Sequence, residues 1–237
     1  MKKIDIHTHV LPGVDDGAKE WDMCLEMLKQ SAENGVQAVI ATPHYIPWRS
    51  NVAPKELKEL CQKVKEKLFA KTGITMDIYA GHEIYYSAGV VDRLKSGDIL
   101  TLAGSRYVLV EFRTSIAFDV IKQAVKEFRE AGYVPVLAHV ERYLCLAKKG
   151  RVAILKDRGA LCQMNVEALT GGLFDSESQR AKKMLLKEQI DFLASDMHNL
   201  INRPPMREEQ LAWLKKNTTP EYQERLLGSN CRQLFLK

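Results

Sequence analysis

The chain alternates between short apolar runs and longer segments whose apolar positions recur at helical spacing. The runs are Ile4–His9, Val36–Thr42, Thr75–Ala80, Tyr107–Phe112, Val134–Ala138, Leu161–Asn165 and Ile190–Ala194. Most are rich in Val, Ile or Leu, which predicts strands buried on both faces. Between them, Lys19–Asn34 puts Trp21, Cys24, Leu25, Leu28 and Ala32 at helical spacing. Pro54–Lys71 opens with a proline suited to a first helical turn and carries Leu57, Leu60, Cys61, Val64 and Leu68 on one stripe. Ala117–Ala131 and Asp175–Lys187 follow the same pattern. Gly35, Gly73 and Gly132 stand where left-handed helix caps are common.

Regular strand–helix alternation implies an α/β fold with parallel strands and covering helices. Seven strands favour a closed or nearly closed (β/α) barrel, with an open doubly wound sheet as the alternative. No linker or repeat divides the chain, so residues 1–237 read as a single domain. The tail from about 205 onward reads as two or three short helices packed on the outside.

Composition narrows the function. Of 237 residues, 46% are hydrophobic and 27% charged, which is globular rather than disordered. The net charge of +5 suits an anionic substrate, but no run of Lys and Arg is dense enough for nucleic acid. No apolar run spans a bilayer, and Asp5, His7 and His9 interrupt any signal-peptide core, so a soluble cytoplasmic protein is expected. The five cysteines are widely spaced without a CxxC, which argues against a disulfide framework or a cysteine zinc site.

Candidate chemistry gathers at one end of the strands. All six histidines lie at or close after predicted strand C-termini. In a parallel barrel or sheet, that edge is where active sites are built. Strand one supplies His7-x-His9 and then Asp15 and Asp16. Later strands supply His44, His82 with Glu83, Glu111, His139 with Glu141 and Arg142, Asn165, and Asp196-x-His198, with Arg203 shortly after. Spacing of i, i+2 turns both side chains of a pair to one face of a strand. Such imidazoles and carboxylates suit Mn, Fe or Zn. A single histidine at a strand end is ordinarily a satisfied core or surface group, and a single glutamate a salt bridge. Recurrence on five or six strands is what points to a metal site. Glu83 facing inward would turn the adjacent His82 outward. Glu141 reads as a charge partner of Arg142.

The segments IDIHTHVLPGVDDGA, ATPHY, GHEIYY, VLVEF, VLAHVERY and ASDMHN occur in order. Together they resemble the PHP superfamily of metallophosphoesterases, and more narrowly the CpsB/YwqE-type bacterial protein-tyrosine phosphatases, over about residues 3 to 205. The resemblance implies a distorted (β/α)7 TIM-like barrel and a three-ion cluster, usually of manganese. Carried over by motif, His7, His9, Glu83 and Asp196 hold one ion. Glu83, Glu111 and His139 hold a second, with Glu83 bridging. Asp16, His44 and His198 hold the third, although adjacent Asp15 leaves that assignment open by one residue. Arg142 and Arg203 match phosphate-gripping arginines. The implied substrate is the phosphotyrosine-bearing tail of a bacterial tyrosine kinase that controls capsule or exopolysaccharide synthesis. The segment Tyr45–Pro54, with Tyr45, Trp48 and Arg49, follows no family pattern and is expected to border the substrate cleft.

Three rival readings stand beside this one. A phosphatase of a small ester such as histidinol phosphate would share the same metal site. Cys145 and Arg151 match the Cys-x5-Arg spacing of cysteine-based tyrosine phosphatases, but the residues between them are Leu, Ala, Lys, Lys and Gly. A metal-stabilised barrel could also bind a phosphorylated partner without turning it over.

Overall fold

The computed structural model describes residues 2–172 and 174–235. Nine strands are all paired in parallel: β1 (Lys3–Thr8), β2 (Val36–Ala41), β3 (His44–Tyr45), β4 (Asp77–Ala80), β5 (Glu83–Tyr85), β6 (Tyr107–Glu111), β7 (Val134–Leu137), β8 (Leu161–Asn165) and β9 (Phe192–Ala194). Their orders are β1-β2-β4 and β3-β5-β6-β7-β8-β9. β2 and β3 are two halves of one path broken at Thr42-Pro43, and β4 and β5 are halves of another broken at Gly81-His82. Pro43 lacks an N–H for a sheet ladder, which accounts for the first break. At the second, a side chain on Gly81 would press on Ile40 and Leu102 at 3.2 Å.

The result is seven strand paths, as the sequence predicts. The last path returns to the first: Thr8 bridges Met197, and His9 N–H donates to the Met197 carbonyl at 2.9 Å. The Asp196 N–H donates to the His7 carbonyl at 2.9 Å. The barrel alternative therefore holds over the open sheet. The short strands β3 and β5 are findings that hydrophobic patterning does not reveal, because they have only two and three residues.

Helices α1 (Trp21–Glu33), α2 (Pro54–Thr72), α3 (Val90–Ser96), α4 (Phe118–Glu130), α5 (Arg151–Asp157) and α6 (Ser176–Leu186) follow the strand paths. In α2, Leu57, Cys61, Val64 and Leu68 are buried, and Gly73 closes the helix in a left-handed conformation with its N–H on the Phe69 carbonyl. Each fully buried leucine in such a stripe contributes about 2 kcal/mol relative to exposure. α4 buries Ile121, Ala124, Val125 and Phe128 in the same manner.

The C-terminal segment forms α7 (Glu208–Asn217), α8 (Pro220–Glu224) and α9 (Asn230–Gln233). It is more than an outer coat. Leu211 and Leu214 pack outside with Leu185 and Val166, but Cys231 and Leu234 join Ile4, Ile40, Leu109, Val136 and Phe192 in one buried cluster. Along β6 and β9, residues of that cluster alternate with positions packed against helices, so Leu109 leads to Glu111 on one face. An apolar floor thus sits beneath a polar rim.

Candidate metal centre

The rim collects every residue that the motif resemblance assigns to metal. Three groups place one ligand atom per residue within 4.8 Å of the others: His9, Asp16, His44 and His198; His7, His9, Glu83 and Asp196; and His44, Glu83 and Glu111. Glu83 Oε2 is the hub. It lies 3.2 Å from His7 Nε2, 3.2 Å from His9 Nε2 and 3.0 Å from His44 Nδ1. Asp196 Oδ1 lies 3.3 and 3.4 Å from His7 and His9 Nε2. Asp16 Oδ1 lies 3.4 Å from both His44 Nε2 and His198 Nε2. His139 stands slightly apart, with Nε2 at 2.9 Å from Glu83 and 3.8 Å from Glu111. The group around Glu83 and Glu111 includes His44 where the resemblance puts His139.

These spacings fit bound cations. At a metal–ligand distance of about 2.1 Å, neighbouring ligand atoms lie about 3.0 Å apart in an octahedron and about 3.4 Å apart in a tetrahedron. Glu83 Oε2, Asp196 Oδ1, His44 Nδ1 and His198 Nε2 are buried without a well-aligned hydrogen bond. Buried polar atoms seldom go unpaired unless an ion or water takes the place of the partner. Nitrogen and oxygen donors with no thiolate suit divalent Mn, Fe or Zn.

Other side chains fix how the ligands face. His7 Nδ1 lies 3.1 Å from Gln163 Oε1, which orients Nε2 inward. The same Gln163 oxygen accepts the His139 N–H at 2.8 Å. His9 Nδ1 lies 2.6 Å from Asp15 Oδ2. Asp15 also accepts the Gly17 N–H at 2.9 Å and the His44 N–H at 3.2 Å. Its oxygens are thus committed to positioning, and Asp16 is the one that faces His44 and His198. The loop can turn back this tightly because residue 17 is glycine: a Cβ there would sit 2.0 Å from the His9 carbonyl oxygen. His198 Nδ1 faces the Asp196 carbonyl at 2.9 Å, leaving Nε2 for the centre. Gln163 was missed by the sequence reading. Its signal is a polar side chain two residues before Asn165 on an otherwise apolar strand.

His139 and Asp196 both adopt positive φ, at 34° and 54°. Such conformations cost on the order of 1–3 kcal/mol per residue and cluster at functional sites. Here they turn the chain sharply at the ends of β7 and β9, carrying both side chains toward Glu83.

Charge is tightly balanced. Burial alone would raise Glu83, but the His7 charge, the His139 hydrogen bond and the nearby His44 ring hold it well below the usual carboxylate range. Asp196 is held well below for similar reasons, with burial outweighed by His7 and His9. Burial would lower His9, but the charge and hydrogen bond of Asp15 push it well above its ordinary value. A proton favoured on His9 would stand in for part of a divalent cation's charge, so metal uptake there would release it.

Arg142 and Arg203 meet at one atom. Arg142 Nη1 lies 3.5 Å from Asp196 Oδ2, and Arg203 Nη2 donates to the same oxygen. Asn165 Nδ2 donates to it as well, at 2.7 Å. Among the described residues Glu141 makes no direct ion pair with Arg142, although its charge favours the guanidinium. It is buried, its Oε1 accepts the Asn165 N–H at 3.2 Å, and burial pushes its carboxyl up to about 7. His82 lies outside the cluster. It is buried, accepts the Leu100 N–H on Nδ1 at 2.9 Å and rests against Tyr45.

Tyr45 is likewise a core residue, with its hydroxyl receiving Arg93 Nη1 at 3.0 Å. Of the aromatic residues in its segment, only Trp48 reaches a cleft, where it faces Tyr85. Cys145 sits in a short 3₁₀ turn. Arg151 Nη1 bonds the Cys145 carbonyl at 2.8 Å rather than cradling its sulfur. Burial raises the thiol pKa more than Arg151 lowers it.

A parallel (β/α) barrel with converging histidines and carboxylates at its C-terminal rim defines the class of barrel metallohydrolases. The phosphotriesterase homology protein of Escherichia coli shares this fold, with a TM-score of 0.57 at 12% identity, covering 99% of this chain and 98% of that one. A family model described as capsular polysaccharide synthesis, CpsB/CapC, matches residues 3–236, and the chain belongs to that family. It is 30% identical to the tyrosine-protein phosphatase CpsB of Streptococcus pneumoniae over 239 residues, 98% of each chain. Its structure is similar to one solved in work on YwqE from Bacillus subtilis and CpsB from Streptococcus pneumoniae, described as unique metal-dependent tyrosine phosphatases. The TM-score is 0.88 at 28% identity, covering 98% of this chain and 94% of that one.

Proposed function

We propose that this chain is a metal-dependent protein-tyrosine phosphatase, hydrolysing phosphotyrosine as a phosphoric monoester. The observation that carries the reading is the gathering of imidazole and carboxylate atoms around Glu83 Oε2 at metal-polyhedron spacings, with two arginines beside them. The ligands are His7, His9, Asp16, His44, Glu83, Glu111, His139, Asp196 and His198. Manganese is the proposed metal, with Fe and Zn the other ions the donor set suits. Divalent ions held there supply activated water and neutralise phosphate charge.

The remaining work falls to the chain itself. Arg142 and Arg203 converge on one anionic oxygen of Asp196 in this structure, and a phosphate beside it would offer the same two guanidinium groups paired oxygens. Asp196 Oδ2 thus holds both heads at the rim before substrate arrives. Tyrosinate, with a pKa near 10, leaves far more readily than a serine alkoxide, so no dedicated general acid is required.

The substrate is taken to be a phosphotyrosine-bearing tail of a bacterial tyrosine kinase acting in capsule synthesis. The family description and the names of the relatives support the phosphotyrosine and capsule parts, and the kinase rests on the motif resemblance. A cytoplasmic setting is part of the proposal. No helix among the described residues is long and apolar enough to cross a membrane, and all five cysteines are free. The test is turnover of a phosphotyrosyl peptide after exhaustive chelation, with manganese, iron and zinc added back separately. Loss on chelation and recovery with manganese are expected. Undiminished turnover by protein shown metal-free by elemental analysis would overturn the reading.

A further inference from the structure

We propose that the cleft walled by Trp48, Tyr85, Tyr86, Phe112 and Ile116 is an aryl subsite, which holds the phenyl ring of the substrate while its phosphate lies at the metal centre. The inference rests on the phosphatase reading above and adds how the substrate is selected. The cleft is open to solvent, has a volume of about 410 Å³ and is completed by Ser87, Arg113 and Val120. Its walls are chain neighbours of three candidate ligands: Trp48 follows His44 by four residues, Tyr85 follows Glu83 by two, and Phe112 follows Glu111 directly. Tyr85, in register with Glu111, joins the cleft to the rim, while Tyr86 and Phe112 close it on the side of the helix layer.

The spacing suits an aryl phosphate. Alternation along β5 puts Tyr85 on the same face as Glu83, about 6.6 Å further out. An aryl phosphate held at the Glu83 hub would carry its ring outward from the rim, in the direction of Tyr85. A methyl or seryl phosphate bound at the same centre has no ring to extend that far.

The cleft is built rather than incidental. Tyr86 is anchored by its hydroxyl on Glu127 at 2.8 Å, and its ring packs 5.3 Å from Phe112. Trp48 is 64% exposed, yet its ring stands edge-on to Tyr85 at 5.2 Å and 83°. The loop that carries it is pinned by Asn51, which accepts the Ile46 N–H at 3.0 Å and donates to the carbonyls of Ile46 and Arg49 at 2.9 Å. The pinned loop thus presents an exposed aromatic face at the mouth of the cleft. Edge-to-face geometry from Tyr85 and Trp48 favours an aromatic ring over an alkyl chain.

The test compares benzylphosphonate with methylphosphonate, titrated calorimetrically into manganese-loaded protein. Both carry the same non-hydrolysable head, and only the first carries a ring. Wild-type protein is expected to bind benzylphosphonate at least tenfold more tightly. Trp48→Ala should cut that advantage to threefold or less with methylphosphonate affinity within twofold. Phe69→Ala, an exposed aromatic on the outer helix α2, should leave both affinities as they are. An undiminished advantage in Trp48→Ala, or no advantage in wild type, overturns the subsite while leaving the phosphatase reading intact. Failure of both phosphonates to bind overturns the two together.

Discussion

His9 Nδ1 lies 2.6 Å from Asp15 Oδ2, and this contact points the opposite ring nitrogen at Glu83 and Asp196. Such a carboxylate behind a ligating histidine sets its tautomer and raises its basicity. Asp15→Asn is expected to lower metal affinity about 10–100-fold. Isothermal titration with manganese checks this. Affinity within threefold of wild type would show that Asp15 does not position His9.

Arg142 and Arg203 share Asp196 Oδ2 but are not placed among the ligands. Arg142→Ala should lose on the order of 2–4 kcal/mol of transition-state stabilisation, as removal of an oxyanion donor does. Metal stoichiometry should be unchanged. Steady-state kcat/KM with elemental analysis reads both, and a fall of less than threefold would contradict the role.

His82 supplies a pH dependence separate from the metal cluster. Its Nδ1 accepts a backbone N–H, which requires a neutral ring, and burial lowers its pKa to about 4. The unfolded chain takes up this proton near 6.5. Between those values the unfolded state binds more protons, so stability falls as pH drops through the window, by on the order of 3 kcal/mol in all. His82→Asn should flatten this part of the profile. Urea melts of both proteins between pH 4 and 7 would show it, and parallel profiles would exclude the effect.

Cys145→Ser should retain full activity. The thiol is held protonated by burial, and Arg151 reaches its carbonyl instead of the sulfur. Complete loss of turnover in a folded, metal-loaded Cys145→Ser protein would restore the cysteine mechanism.

The strand paths were legible because parallel barrel strands are buried on both faces and read as apolar runs. The candidate ligands were legible because histidine is scarce in this chain and falls at or close after the ends of the predicted strands. β3 and β5 were not, since two or three residues after Pro43 and His82 carry no periodicity. Nor was the choice between Asp15 and Asp16. Adjacent aspartates differ only in the direction the loop gives them, and that direction is set by Gly17 lying against His9. Gln163 was hidden for a related reason: a single amide acquires meaning only when two histidines from other strands arrive beside it.

The bridge between Thr8 and Met197 joins the first strand path to the last. Residues from both edges of that seam, His7 and His9 on one side and Asp196 and His198 on the other, make up much of the centre. During synthesis the first pair leaves the ribosome long before the second exists. Pairings this distant in sequence are slow to form, because loop closure precedes any reward in contacts. The complete cation cradle therefore requires both edges of the seam, and a nascent or truncated chain ending before Asp196 has only a partial set of donors to offer.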